Sequence, residues 1–307
     1  MTNLTKRIAV AAIGIPAAVG AVYLGGWFFS GAIMLIALQA LREFYHLAES
    51  KHASPNQSVG LVWAAVILLL VGFPNPDATV QTDSIFEGLG MVMIGGYVCL
   101  FMLLGSLITL AAELFRAREN AMLNTALTAF GVFYIGLSMA TLLLLRAIDR
   151  PFLQGAWGDS GASLVMTLFV SVWLADTAAY FVGLSFGKHK LFPRVSPKKS
   201  WEGAIGGLVG STLAFVGMSK LLMPGVPLDM AIGCGVIVGI VGPIGDLAES
   251  LLKRDAVVKD SGGILPGHGG VFDRFDSMLF AAPAVFVICY GDKIISFLTQ
   301  LLGKFGL

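Results

Sequence analysis

The chain has 307 residues, of which 56% are hydrophobic and 13% charged, with a formal net charge of +1. Soluble domains carry about a quarter charged residues, and a soluble fold of this length has too little interior to hide so much apolar surface. The composition therefore excludes an ordinary soluble domain, and the net charge says nothing about partners because the charges are unevenly placed.

A membrane-spanning helix needs about 20 mostly apolar residues. Nine stretches qualify in chain order: 8–24, 27–45, 58–73, 86–112, 122–146, 161–185, 203–223, 229–252 and 278–302. The first follows Lys6 and Arg7 and resembles a signal peptide, but a second long apolar run begins almost at once, so it reads as a retained span. The third is short, and the fourth is long enough to tilt. The expected fold class is all-α, a polytopic integral membrane protein forming one domain over 1–307. Residues 1–150 are expected to form a lipid-facing body, and residues 160–307 to carry the catalytic motifs.

Orientation follows from Lys and Arg placement. With the N-terminus in the cytoplasm and strict alternation, Arg146, Arg150, Lys220, Lys293 and Lys304 fall outside, and the other fifteen of the 20 basic residues fall inside. This asymmetry predicts an odd number of spans and a C-terminus outside. Cys99, Cys234 and Cys289 lie in apolar stretches with no metal spacing and read as buried packing residues. Glu43, Glu49, Glu113 and Glu119 sit at span ends beside basic residues and read as solvated interface charges. Gly203 with Gly207, Gly206 with Gly210, and Gly235 with Gly239 form small-xxx-small pairs. Such pairs suit close packing within one subunit or the contact of a homodimer.

Two segments on the expected cytoplasmic side carry chemistry. The first, 186–203, holds Lys188, Lys190, Arg194, Lys198 and Lys199, together with Ser196, Ser200, Glu202 and two prolines. The prolines argue against a continuous helix, and basic side chains with loop amides suit a polyphosphate or a lipid phosphate. The second runs from Gly242 to Ser277. Within it Asp246, Glu249, Ser250 and Lys253 recur at i, i+3, i+4 and i+7, which is one helix face. Asp273 and Asp276 are likewise three apart, at the start of the last span. A carboxylate inside a span is costly, by about 2.5–3.5 kcal/mol on insertion scales, and has to face the bundle interior with a partner.

Carboxylates are the ligands Mg²⁺ prefers, commonly one or two of them completed by substrate phosphates. A nucleoside triphosphate beside bare aspartates would be repelled, so a cation between them is close to required. Gly269 and Gly270 can bring backbone amides near a phosphate, and His268 between glycines is a candidate phosphate contact or general acid. A salt-bridge cluster of these acids with Lys253, Arg254 and Arg274 is the competing structural reading. Asp176 interrupts another apolar span, either as a hydrogen-bonded structural residue or as part of a substrate cavity.

The run Ser250, Lys253, Arg254, Lys259, Asp260, Gly262, Leu265, Pro266, His268, Gly269, Gly270, Asp273, Arg274 and Asp276, at its spacing here, resembles the signature of the phosphatidate cytidylyltransferases, the CDP-diacylglycerol synthases. Residues 196–203 and the Asp176, Thr177, Ala179, Tyr180 group resemble other motifs of that family, whereas the first 150 or so residues resemble it only in hydropathy.

The resemblance implies that CTP and phosphatidate give CDP-diacylglycerol and pyrophosphate. It further implies a multi-pass protein of the bacterial inner membrane and dependence on Mg²⁺, with room for a second, monovalent cation such as K⁺. By analogy Asp246 and Asp273 are the metal ligands, with Glu249 and Asp276 as further candidates. Catalytic roles fall to Asp246, Asp273, Lys253, Arg274 and His268. Substrate contacts fall to Asp176, Ser196, Lys198, Lys199, Ser200, Glu202, Arg254, Lys259, Asp260, Gly269 and Gly270. The expected partners are the two substrates and the lipid bilayer, without nucleic acid. Two readings compete. A CTP-dependent polyprenol kinase-like enzyme would release CDP, and an ion-coupled transporter would line a path with Asp176, Asp246 and Asp273.

Overall fold

The structure is a computed structural model and describes residues 3–72, 84–116, 118–149, 153, 159–264 and 269–304. The helices are α1 (Asn3–Leu24), α2 (Gly26–Glu49), α3 (Gln57–Gly72), α4 (Ser84–Arg116), α5 (Ala121–Gly131), α6 (Ser138–Arg146), α7 (Ser160–Phe186), α8 (Trp201–Leu222), α9 (Leu228–Asp255) and α10 (Phe272–Lys304). A π-helical turn, Val132–Leu137, joins α5 to α6 without a break. Each of the nine apolar stretches lies almost wholly within such a helical run.

Among the described residues, six segments are long and apolar enough to cross a membrane: Gly26–Glu49, Gly96–Arg116, Ala121–Arg146, Ser160–Phe186, Trp201–Leu222 and Leu228–Asp255. Ala12–Leu24 and Gln57–Gly72 are apolar but shorter. The chain is an all-α, multi-pass membrane protein, with one small exception among the described residues. The proline-bearing stretch between α7 and α8 forms an antiparallel hairpin of β1 (Lys190–Phe192) and β2 (Ser196–Ser200), pairing Lys190 with Ser200 and Phe192 with Ser196.

Local chemistry sets the helix ends. Gly25 and Gly26 take positive φ, +61° and +44°, and separate α1 from α2. The Asp159 side chain caps α7 by accepting from Ala162 N at 2.9 Å. Arg146, at the end of α6, locks this end of the bundle. Its Nε donates to the Val22 carbonyl at 3.0 Å and its Nη1 to Asp159 Oδ1 at 3.0 Å.

Helices α7, α8, α9 and α10 pack in succession, and small residues allow it. A Cβ on Gly207 would lie 3.1 Å from the Ala175 carbonyl of α7, and one on Gly206 2.7 Å from Val182. Gly235 and Gly239 of α9 face Thr212, Ser211 and Leu208 of α8. The glycine pairs singled out in the sequence are thus accounted for by packing within one chain.

The N-terminal helices join the same core. Phe44 of α2 and Tyr134 of the π-helical turn both meet Phe272 edge-on, with centroids 6.3 and 5.9 Å apart. Tyr45 Oη donates to the Thr128 carbonyl at 2.9 Å. Cys234 and Cys289 are buried as expected, but Cys99 is exposed on α4, on a face rich in exposed apolar residues such as Leu100 and Leu103. An apolar stretch in a membrane protein can face lipid, so hydrophobicity alone did not predict burial.

Candidate active site

The carboxylates of Asp246, Glu249 and Asp276 have oxygens within 4.8 Å of one another. The helical spacing on α9 aligns the first two, and a close crossing of α9 and α10 supplies the third. At that crossing a Cβ on Gly245 would lie 2.5 Å from the Asp276 carbonyl oxygen. Glu249 is fully buried, and neither of its carboxylate oxygens accepts a well-directed hydrogen bond.

Cations surround the group. Lys199 Nζ from β2 lies 2.6 Å from Asp246 Oδ2. Lys253 Nζ sits 2.5 Å from Glu249 Oε2, close enough for an ion pair but out of line for a hydrogen bond. The same ammonium lies 2.7 Å from Asp273 Oδ1. Ser250 Oγ donates to Asp246 Oδ1 at 3.3 Å.

Asp273 adjoins this group at Glu249, and both carboxylates share the Lys253 ammonium. It accepts from Lys253, from Ser261 N at 3.0 Å and from Gly270 N at 2.7 Å. A carboxylate so engaged ties Ser261 and Gly270 to the first turn of α10. Gly269, with φ of +80°, is pressed against the Asp273 carboxylate, where a Cβ would collide.

The hairpin and α8 shape the neighbouring cavity. Ser200 caps α8, its Oγ accepting from Gly203 N at 3.2 Å. Glu202 in the first turn accepts from the backbone N–H groups of Lys188 and His189 at 3.2 and 3.3 Å, and its Oε1 lies 2.6 Å from His189 Nδ1. Glu202 therefore anchors the base of the hairpin. The cavity, about 650 Å³, is bounded by α7, the hairpin, α8 and α9. Asp176, Tyr180, Lys190, Lys198, Lys199 and Asp246 line its polar part, and Leu184, Leu191 and Pro243 its apolar part.

The structure brings together Asp176, Lys198, Lys199, Ser200 and Asp246 around this cavity, with Glu249, Lys253, Asp273 and Asp276 behind them. Ser196 is half-buried at the start of β2. Arg254, Lys259, Asp260 and Arg274 are exposed. Arg254 Nε reaches the Val195 carbonyl at 3.4 Å and so touches the hairpin. Gly270 is buried. His268 lies outside the described residues.

Two acids expected to be solvated are not. Glu43 is 3% exposed and Glu113 7%. Glu113 is ion-paired with Arg116, and Asn124 Nδ2 donates to it at 3.5 Å. Glu43 accepts from Val271 N, Phe272 N and Ser261 Oγ at 3.1, 2.8 and 3.0 Å. Glu49 and Glu119 are exposed, as expected. A signal for Glu43 was present in the sequence. Ala40 and Leu47, three before and four after it, place it on the apolar stripe of α2 rather than opposite it.

The three-carboxylate group beside a lysine-lined cavity is chemistry for anionic, phosphate-bearing substrates. The family model described as "Cytidylyltransferase family" matches residues 5–291. A phosphatidate cytidylyltransferase of Synechocystis sp. is 35% identical over 92% of this chain and 95% of its own length. One of Brucella suis is 32% identical over 94% of this chain and 93% of its own. One of Staphylococcus aureus is 30% identical over 83% and 86%. The chain belongs to the cytidylyltransferase family and is a nucleotidyltransferase.

Proposed function

We propose that the chain transfers CMP from CTP to phosphatidate, giving CDP-diacylglycerol and pyrophosphate. The observation that carries this reading is the juxtaposition of Asp246, Glu249 and Asp276 with the cavity lined by Lys190, Lys198 and Lys199. A phosphate oxygen of phosphatidate attacks the α-phosphorus of CTP, forming the new P–O bond. The bond from the α-phosphorus to the bridging oxygen breaks, and pyrophosphate leaves with that electron pair. The nucleophile arrives ionised, so no strong base is required. Catalysis is mainly positioning and electrostatics, as in phosphoryl transfer generally.

The donor set fits Mg²⁺. Three carboxylates converge within 4.8 Å, and the buried oxygens of Glu249 accept no hydrogen bond. Asp246, Glu249 and Asp276 would hold the ion, with Asp273 near them through Lys253. When bound, Mg²⁺ offsets negative charge on the triphosphate and on leaving pyrophosphate. Lys198, Lys199 and Arg274 hold phosphates, and Arg254 steadies the hairpin through the Val195 carbonyl. The apolar wall at Leu184, Leu191 and Pro243 receives the part of the lipid nearest its headgroup.

The site faces the cytoplasm of a bacterial inner membrane, with nine spans and the N-terminus inside. The clustering of fifteen of the 20 Lys and Arg residues on one side supports this orientation. There water-borne CTP meets a headgroup still anchored in lipid.

The test is a product assay on purified protein in detergent with CTP, phosphatidate and Mg²⁺. CDP-diacylglycerol and pyrophosphate, abolished by EDTA, are expected. Release of CDP with a newly phosphorylated lipid would replace this reading with a kinase-like one. Ion flux in proteoliposomes without any CTP turnover would replace it with a transporter.

A further inference from the structure

We infer that Glu43, on α2 in the N-terminal half, is a positioning residue for the acidic cluster, holding the start of α10 and the segment before it in register. Four donors converge on its carboxylate. Val271 N and Gln39 Nε2 reach Oε1 at 3.1 and 3.0 Å. Phe272 N and Ser261 Oγ reach Oε2 at 2.8 and 3.0 Å. Phe272 opens α10 and Val271 immediately precedes it, so Glu43 satisfies an N–H group that a helix start leaves without an intrahelical partner and the N–H just before it. Its negative charge also suits the positive end of the helix dipole. A helix N-terminus is usually capped by a residue just before it. Here the cap comes from an element more than two hundred residues earlier in the chain.

The contact continues into the site. Ser261 donates its hydroxyl to Glu43 and its backbone N–H to Asp273. Gly270 donates its N–H to Asp273, and its Cα packs so tightly on the Glu43 carboxylate that a Cβ would collide. A Cβ on Gly262 would lie 2.8 Å from Glu43 Oε1. Asp273 in turn holds Lys253, and Lys253 lies against Glu249. Glu43 thus sets where the first turn of α10 sits, and with it where Asp273 and Asp276 point. It touches none of the three clustered carboxylates.

This inference rests on the reaction proposed above. Its test compares full-length wild type with Glu43→Gln and Ser261→Ala in detergent. The readouts are kcat, both KM values, melting temperature, and binding of Mn²⁺ alone followed by electron paramagnetic resonance. Outer residues that orient ligating side chains typically matter about tenfold to a hundredfold. Glu43→Gln should lower kcat and weaken Mn²⁺ binding by about that factor, with both KM values within about threefold. Ser261→Ala removes one donor and should shift the same two readouts in the same direction by a smaller factor.

Wild-type kcat and Mn²⁺ affinity in both variants, with only the melting temperature lowered, would overturn the proposal and leave Glu43 a purely structural residue. If Glu43→Gln yields no folded protein, Ser261→Ala decides by the same two readouts. A wild type that binds Mn²⁺ but forms no CDP-diacylglycerol refutes the reaction, and the Mn²⁺ comparison still decides on Glu43. A wild type that binds no Mn²⁺ overturns both.

Discussion

Gly245 of α9 faces the Asp276 carbonyl of α10 so closely that a Cβ at position 245 would lie 2.5 Å from that oxygen. The helices meet there because one of them has no side chain at the crossing, and the meeting brings the carboxylate of Asp276 beside those of Asp246 and Glu249. The obstructing atom is backbone, which cannot rotate away. Gly245→Ala should therefore separate the helices, costing about 1–3 kcal/mol as overpacking does, and should remove most of the activity. Melting temperature and turnover on the same preparation check this. Unchanged turnover would mean that the crossing distance does not matter to the site.

Lys253 bridges Glu249 and Asp273 at 2.5 and 2.7 Å, with 12% of its side chain exposed. Replacing it by methionine leaves two buried carboxylates without their counter-charge. Breaking a buried ion pair by removing one partner costs about 3–5 kcal/mol. Lys253→Met is expected to be strongly destabilised and inactive, and Lys253→Arg to recover stability better than activity. Thermal unfolding and CTP turnover separate the two effects.

Asp246 and Asp273 hold different partners, so their amides should fail differently. Asp246→Asn removes a charge from the three-carboxylate group and should abolish turnover even at saturating Mg²⁺. Asp273→Asn retains one acceptor for the N–H groups of Ser261 and Gly270, yet loses its charge opposite Lys253. It should lower the melting temperature as well as the rate. A Mg²⁺ titration of each variant is the measurement. Near-normal turnover by Asp246→Asn would refute the metal assignment.

Glu202 gathers the N–H groups of Lys188 and His189 and the His189 ring at the base of the hairpin that carries Lys198 and Lys199. Glu202→Ala should loosen that hairpin while leaving the α9–α10 cluster intact. The expected result is a KM for CTP raised by about tenfold or more with a smaller loss of kcat, the pattern of lost binding rather than lost chemistry. Steady-state kinetics over a range of CTP concentrations check it.

Arg146 offers a control at the far end of the bundle. It ties the Val22 carbonyl to Asp159, away from every carboxylate of the site. Arg146→Ala should cost about 1–3 kcal/mol of stability through the partners it leaves unsatisfied, and turnover per folded molecule should stay at the wild-type level. Activity normalised to folded protein tests this.

Features encoded locally in the chain and features set by helix packing divide along a physical line. Helical periodicity is local, so the alignment of Asp246, Glu249 and Lys253 on one face of α9 could be read before any contact was known. Apolar length is local too, and the nine apolar stretches fall in helices. The cost of placing carboxylates in apolar spans implied that those acids have partners, and Lys199 and Lys253 are such partners. The prolines of 186–203 argue against a continuous helix, but pairing of β1 with β2 depends on contacts across a turn that local sequence does not encode.

Other features depend on which helix lies beside which. Glu43 and Glu113 stand next to basic residues in sequence, and that local pattern suits solvated charges. Their burial comes from α10 folding over α2 and from Asn124 packing on α4. The partners of Asp273 and Asp276 have the same origin, because the two acids lie on one helix face yet Asp273 meets Lys253 and Asp276 meets Asp246. By itself the sequence determined the membrane class, the helical segments and the family resemblance, and it named candidate acids and bases, since these rest on hydropathy, periodicity and spacing along one chain. Only the tertiary structure decided which carboxylates converge and which residue of the N-terminal half holds the start of α10, because those outcomes depend on helix crossings that local sequence does not encode.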